Sequence, residues 1–425
     1  MVLNGKPRFR EYLHVSLLFL PLNLFWSAML VQGTQERVEQ LFPNSQDVGL
    51  ILTAVAVIPA TFVPLLVGPW SDNCTHRWGR RMPFIFFGIT LNAFAMCAMA
   101  VPSFAVFLCA FAACQFCTNL AAGPFHALLP DRIAKMHQGK ASAWTGLCTF
   151  IGSAMGIGLA GFLFQMGHAG FPILLMIACV LLLLAMAITA WSVKEKPLSI
   201  ERSIPLRRAL REAFNLQLRR YPDFTWFLLS RFIINIGFFT AIAHLRWYVR
   251  DSLLGLSDVD LSDEQVGAIS AETSWISLCA LGGSVLVVNM AGGMADRMSK
   301  RRLMIVSLCV SAGACAMFCV VPSVAIAKWI AIVFGIGWGA FSAVSWALAC
   351  NLLPKGREAK YLAIFHVAFT LPQVLGLAAG GMVFILGSGI FGAGVGRRLV
   401  YVLCVACLGV GIAMVLKVRE RSMKF

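Results

Sequence analysis

Gly68-Pro-Trp-Ser-Asp72-Asn-Cys-Thr-His-Arg77-Trp-Gly79-Arg80-Arg81 is echoed further along the chain by Gly292-Gly-Met-Ala-Asp296-Arg297-Met-Ser-Lys300-Arg301-Arg302. The glycines and the aspartates of the two stretches stand 224 positions apart. The same offset relates Gly152 to Gly376, Gly156 to Gly380 and Leu129-Pro130 to Leu353-Pro354. Agreement at one spacing through three separate regions marks a chain built twice on one plan.

Composition places that plan in a bilayer. The chain of 425 residues is 59% hydrophobic and 13% charged, against about 25% charged in a soluble domain. Apolar runs of about 20 residues, the length that spans hydrocarbon, fall near 12–32, 47–70, 83–102, 104–125, 142–166 and 171–192. Six more fall near 225–248, 265–292, 303–321, 323–350, 361–386 and 398–416. The expected fold is an all-α integral membrane protein of twelve transmembrane helices in two pseudo-symmetric six-helix bundles. Residues 1–192 form the first bundle, 193–224 a basic linker and 225–425 the second bundle.

Most of the 35 Lys and Arg fall on the side of the N-terminus and the linker. The positive-inside rule therefore puts both termini in the cytoplasm, in a cell inner membrane or a specialised intracellular one. Asp251, Asp258, Asp260, Asp263 and Glu264 crowd one external loop, and Arg397 and Arg398 are expected to snorkel at the external start of the last span. The net charge of +16 is the excess on the cytoplasmic loops, and no nucleic-acid module accompanies it. Within the linker, Ile204 to Leu218 has apolar and basic residues at helical spacing, suited either to an anionic membrane surface or to solvent. Cys114 and Cys117 form a C-x-x-C inside the fourth span, where small residues pack helices and neither a redox fold nor metal-ligand spacing surrounds them.

Both signature stretches connect the second and third helices of their halves. Gly68, Asp72, Arg77, Arg80 and Arg81, with Gly292, Asp296, Arg297 and Arg301, read as gating elements. The glycine lets backbones approach, the aspartate pairs with the basic cluster, and such contacts lock one conformation and break in another. The Gly152-x-x-x-Gly156 and Gly376-x-x-x-Gly380 pairs read as a sliding interface shared by the halves.

Charged and polar residues inside spans are costly unless paired or facing a cavity. Counting about 1.5 Å of rise per residue puts Glu272 at the height of His244 and Arg246, a grouping that reads as an external gate or proton-coupling cluster, or as a fixed ion pair. Asn23, Gln115, Asn119, Arg231, Asn235 and Gln373 are the candidate solute contacts, fit for a hydroxyl-rich or weakly anionic solute. No phosphate loop, nucleophile elbow or metal-spaced His cluster is present, so no enzymatic activity, cofactor or metal is expected.

On its G-x-x-x-D loops the chain resembles the major facilitator superfamily. The run from Asp72 to Pro83, together with Gly123-Pro124-Phe125-His126, is similar to the sucrose transporter and glycoside-cation symporter group. His126 departs from the arginine common there, and Asp131 reaches only the membrane edge. The resemblance implies a secondary transporter working by alternating access, moving a sugar or glycoside with a proton. A fainter resemblance, carried by no motif, is to magnetosome-associated members of the superfamily, which implies transport of iron or another metal ion. A non-transporting membrane receptor or assembly factor is the remaining alternative.

Overall fold

The computed structural model describes residues 9–41, 48–133, 138–193, 195, 218–256, 261–352 and 358–419. Among them there is no strand, as hydrocarbon dictates: an apolar segment that must pair every backbone N–H and C=O within itself becomes a helix. Eleven helical rods are long and apolar enough to cross a membrane, and the 25-residue helix Val48–Asp72 joins them as the twelfth.

The first rod comprises α1 (Phe9–Ser16), α2 (Phe19–Ala28), a π-helical turn (Met29–Gly33) and α3 (Thr34–Leu41). Then come α4 (Val48–Asp72), α5 (Met82–Met99), α6 (Phe104–Arg132), α7 (Gln138–Leu163) and α8 (Gly170–Ser192). The seventh rod repeats the first, with α9 (Pro222–Ala243), α10 (Leu245–Tyr248) and a π turn (Val249–Leu253). It is followed by α11 (Asp263–Arg297), α12 (Lys300–Phe318), α13 (Val324–Leu352), α14 (Glu358–Phe391) and α15 (Ala393–Val415). Local sequence sets several starts: Ser262 and Gln265 form a reciprocal capping box on α11, Ser299 caps α12, and a proline lies in the first turns of α5 and α9.

One apolar core draws on residues 18 to 193, with Val374 as its sole member from the second half, and the other on residues 224 to 418. The packing repeats: α2 lies on α7 as α9 lies on α14, and α5 on α6 as α12 on α13. The halves meet chiefly where α4 packs on α14 and α7 on α11. The end of the bundle carrying Asp72, Met82 and residue 193 is the linker end, and the opposite one is the far end.

Three sequence expectations change. The paired glycines do not form the interface between halves. A Cβ at Gly152 or Gly156 would run into the backbone carbonyl of Leu20 or Leu24 on α2, and one at Gly376 into the backbone of Phe239 and Thr240 on α9. They join the fifth helix to the first and the eleventh to the seventh, each inside its own half. The first rod extends to Leu41 instead of ending near 32, since Gln35, Glu36, Arg37 and Val38 are buried against protein. Finally, Arg397 does not snorkel: it is buried and donates from Nε to Asp251 Oδ2 at 2.8 Å.

The amphipathic reading of 204–218 falls almost wholly outside the described residues, as do Asp258, Asp260 and the Leu353-Pro354 pair. Cys114 and Cys117 are free thiols buried in α6.

Candidate functional site

Between the halves lies a cavity of about 300 Å³. Ser27 and Ser153, hydrogen-bonded to each other at 2.9 Å, face it from the first half. Ser277, Trp338, Phe369 and Gln373 face it from the second. Its lining carries hydroxyls, one amide and aromatic rings, and no charged side chain. A side chamber of about 70 Å³ shares Leu30 and Gln373 with it and adds the amides of Gln35 and Gln115 and the indole of Trp26.

Of the six expected solute contacts, Gln115 and Gln373 line these spaces. Asn23 donates to Phe19 O (2.7 Å) and Asn119 to Gln115 O (2.8 Å), each within its own helix. Asn235 is fully buried and donates to Ala368 O on α14 at 2.8 Å. Arg231, also buried, donates to the Ser345 hydroxyl and stacks 4.0 Å from the Phe365 ring centroid.

At the far end the expected grouping of Glu272 with His244 and Arg246 is not formed. Glu272 pairs with Lys328 of α13 at 2.7 Å. Arg246, wholly buried, turns instead to the first half, where it pairs with Glu36 and, from Nε at 3.3 Å, with Glu39, while its Nη1 donates to the Ser270 hydroxyl at 2.7 Å. Arg250 pairs with Glu39 at 2.8 Å and with Asp251 at 2.6 Å. His244 places Nε2 3.0 Å from Leu377 O and Nδ1 3.4 Å from Arg397. The Gln35 side chain donates to Ala243 O at 2.6 Å, another bond between halves. Two carboxylates of α3 and two guanidiniums of the seventh rod therefore seal this end. Asp251, expected in an external loop, is buried within the network.

Sequence reasoning missed Glu36 and Glu39 because their charge reads as loop. A usable signal was present: Thr34 to Leu41 consists mostly of good helix formers directly continuing an apolar run, with no proline before Pro43.

At the linker end each signature loop is tied to the end of the sixth helix of its own half. Glu195, just past α8, accepts from the backbone N–H groups of Arg81 (2.8 Å) and Met82 (3.0 Å), satisfying orphan donors at the start of α5. In the second half Arg301 donates to Leu416 O past α15 at 2.6 Å. Asp72 pairs with the buried Arg81 at 2.9 Å, and Arg77 is exposed. Arg80 lies half-buried, while the side chains of Asp296 and Arg297 lie outside the described residues.

Gly68 and Gly292 do not mediate the expected close approach here: a Cβ added at either would meet nothing within 4 Å. If they pack only when the linker end closes, Gly68→Val is expected to change stability by no more than about 0.5 kcal/mol while cutting uptake at least tenfold. Thermal melts alongside flux in proteoliposomes check this, and unchanged flux would remove Gly68 from the gating set.

Twelve membrane helices in two similar halves, with a cavity between them sealed at one end, define a polytopic membrane protein of the transporter type. The sequence matches the family model of the Major Facilitator Superfamily over residues 15–377, and the chain belongs to that superfamily.

Direct comparison with curated proteins finds no match. Solved structures similar in fold include a bacterial homolog of the human lysosomal transporter Spinster, in its inward-facing and unoccupied conformation. It has a TM-score of 0.74 at 16% identity, covering 98% of this chain and 100% of that one. A D-xylose-proton symporter has a TM-score of 0.73 at 15% identity, covering 97% and 98%. The nucleoside transporter NupG has a TM-score of 0.69 at 14% identity, covering 96% and 99%. At these identities the likeness is one of fold.

Proposed function

We propose that the chain is a secondary active transporter in which the halves, 1–192 and 225–425 joined by the linker 193–224, rock about the central cavity by alternating access. The observation that carries this reading is the far-end seal, whose ion pairs are contributed by opposite halves, beside open space at both signature glycines of the other end. Contacts that must be exchanged when the cavity changes sides are what alternating access requires. The basic loops favour an inner-membrane orientation with the linker end and both termini in the cytoplasm.

The solute is a small hydroxylated molecule with an apolar body, of the sugar or glycoside class. The uncharged lining of hydroxyls, amide and rings supports it. So does the fold likeness to proteins described as a D-xylose-proton symporter and a nucleoside transporter. The same lining offers a metal cation no carboxylate, thiolate or imidazole.

A proton is the coupling ion. Glu36, held on Arg246, takes the role first assigned to Glu272 beside His244 and Arg246, because it is the buried carboxylate that bridges the halves. A buried carboxylate that takes up a proton loses its hold on the guanidinium, so protonation and opening of the far end become one event.

Radiolabelled D-xylose and phenyl β-D-glucopyranoside in proteoliposomes test the reading. Uptake at least tenfold above protein-free liposomes, collapsing with a protonophore, is the expected result. Flux that ignores the pH gradient would remove the proton, and absence of flux for every sugar offered would remove the solute class.

A further inference from the structure

Arg231 has no carboxylate partner among the described residues, although it is buried inside a membrane span. Its contacts are the Ser345 hydroxyl and three ring faces, those of Phe365, Phe341 and Phe369 at 4.0, 5.8 and 5.9 Å, and its Nε has no hydrogen-bond partner. Aromatic faces offset part of the cost of such a cation. A guanidinium at this depth without a counter-charge is otherwise expensive, and intramembrane ionisable residues of this kind mark solute pathways.

Two imidazoles extend this aromatic cluster, the second reached through the first. His366 follows Phe365 on α14, and its ring lies 6.5 Å from that of Phe369. His126, on α6 of the other half, lies 5.7 Å from His366 between ring centroids, and its side chain is exposed. Neither imidazole has a hydrogen-bond partner among the described residues. Phe369 is shared: it lines the central cavity on one side and touches both Arg231 and His366. The guanidinium supplies positive charge and donors and each imidazole one ring N–H, which suits an oxyanion, while the guanidinium repels a metal cation.

We infer that Arg231, His366 and His126 form an oxyanion subsite at the linker-end margin of the central cavity. The transported solute then carries a carboxylate or phosphate held there while its uncharged body occupies the cavity. This assignment rests on the transport reading above and narrows its solute to an organic anion. Because His126 and Arg231 come from opposite halves, a bound oxyanion also bridges the halves at the end where the far-end ion pairs cannot.

Matched probe pairs test it in detergent-purified protein without anionic lipid: benzoate against benzamide, and D-glucose 6-phosphate against D-glucose, with binding read by calorimetry. At least one anion is expected to bind tenfold or more tighter than its neutral partner, and which pair responds tells carboxylate from phosphate. Arg231→Met is expected to erase that preference without weakening the neutral probe, and His366→Gln and His126→Gln to reduce it several-fold.

Thermal melting supplies a readout that a structural arginine would not give. Removing a buried cation with no counter-charge is expected to raise the melting midpoint of Arg231→Met, whereas loss of a structural contact lowers it. Arg231→Lys, which keeps the charge but not the planar fork, serves as the second variant and is expected to retain part of the preference. Anion preference in the benzoate pair with no sugar flux would uphold the subsite and sink the sugar class. Sugar flux with no anion preference, or a preference surviving Arg231→Met, would overturn the subsite and leave transport standing.

Discussion

Arg246→Ala is expected to abolish proton-coupled uptake and to lower stability by about 3–5 kcal/mol, the usual cost of stranding a buried charge. The substitution leaves Glu36, 3% exposed, without its guanidinium and takes the donor from Ser270. A seal weakened by only about 3 kcal/mol shifts the balance between closed and open far ends by about 100-fold. The cavity should then be accessible from the far side.

Val31→Cys, which lines the cavity, reports this when reacted with an impermeant thiol reagent in a background freed of reactive cysteines. Labelling from the far side should rise in Arg246→Ala. Adding Glu36→Gln should restore much of the stability, since it removes the stranded charge, but not the coupling. Unaltered labelling together with normal uptake would show that the network is not the gate.

Gly156→Leu is expected to yield no monodisperse protein. A side chain at this position is aimed at the Leu24 backbone carbonyl, and a helix backbone cannot swing aside as a long side chain can. Overpacking in cores costs about 1–3 kcal/mol when neighbours adjust, and here α7 must part from α2 along the row that also holds Gly152. That separation would break the Ser27–Ser153 bond at the cavity wall. Size-exclusion chromatography of the detergent extract decides the matter. A well-folded variant would mean that α2 and α7 can move apart, contrary to the close backbone packing described above.

The repeat and the apolar runs were enough to read twelve helices in two halves, because both depend on local composition and on spacing along the chain. Partner choice was not legible in the same way. Counting rise per residue put Glu272 at the depth of His244, but depth says nothing of the face a side chain takes around its helix, and Glu272 turns to Lys328. The charges of Glu36, Glu39 and Asp251 suggested water, whereas each is neutralised by residues distant in sequence. Symmetric glycines likewise signal close packing without naming the helix that comes close. Gln115 and Gln373 could be read as cavity residues because polar side chains deep in apolar runs need either a partner or an opening.

The π turns at Met29–Gly33 and Val249–Leu253 occupy matching places in the first and seventh rods, immediately before Glu36 in one and just after Arg246 in the other. A wide turn accommodates one residue more than an α turn, and one residue is about 100° of rotation. The first of these turns therefore acts as a phase adjuster on its rod. It sets the compass bearing of both α3 carboxylates at once while its own Leu30 and Val31 line the cavity, so an insertion or deletion at the bulge would retune the gate and reshape the cavity wall together, with every charged residue retained.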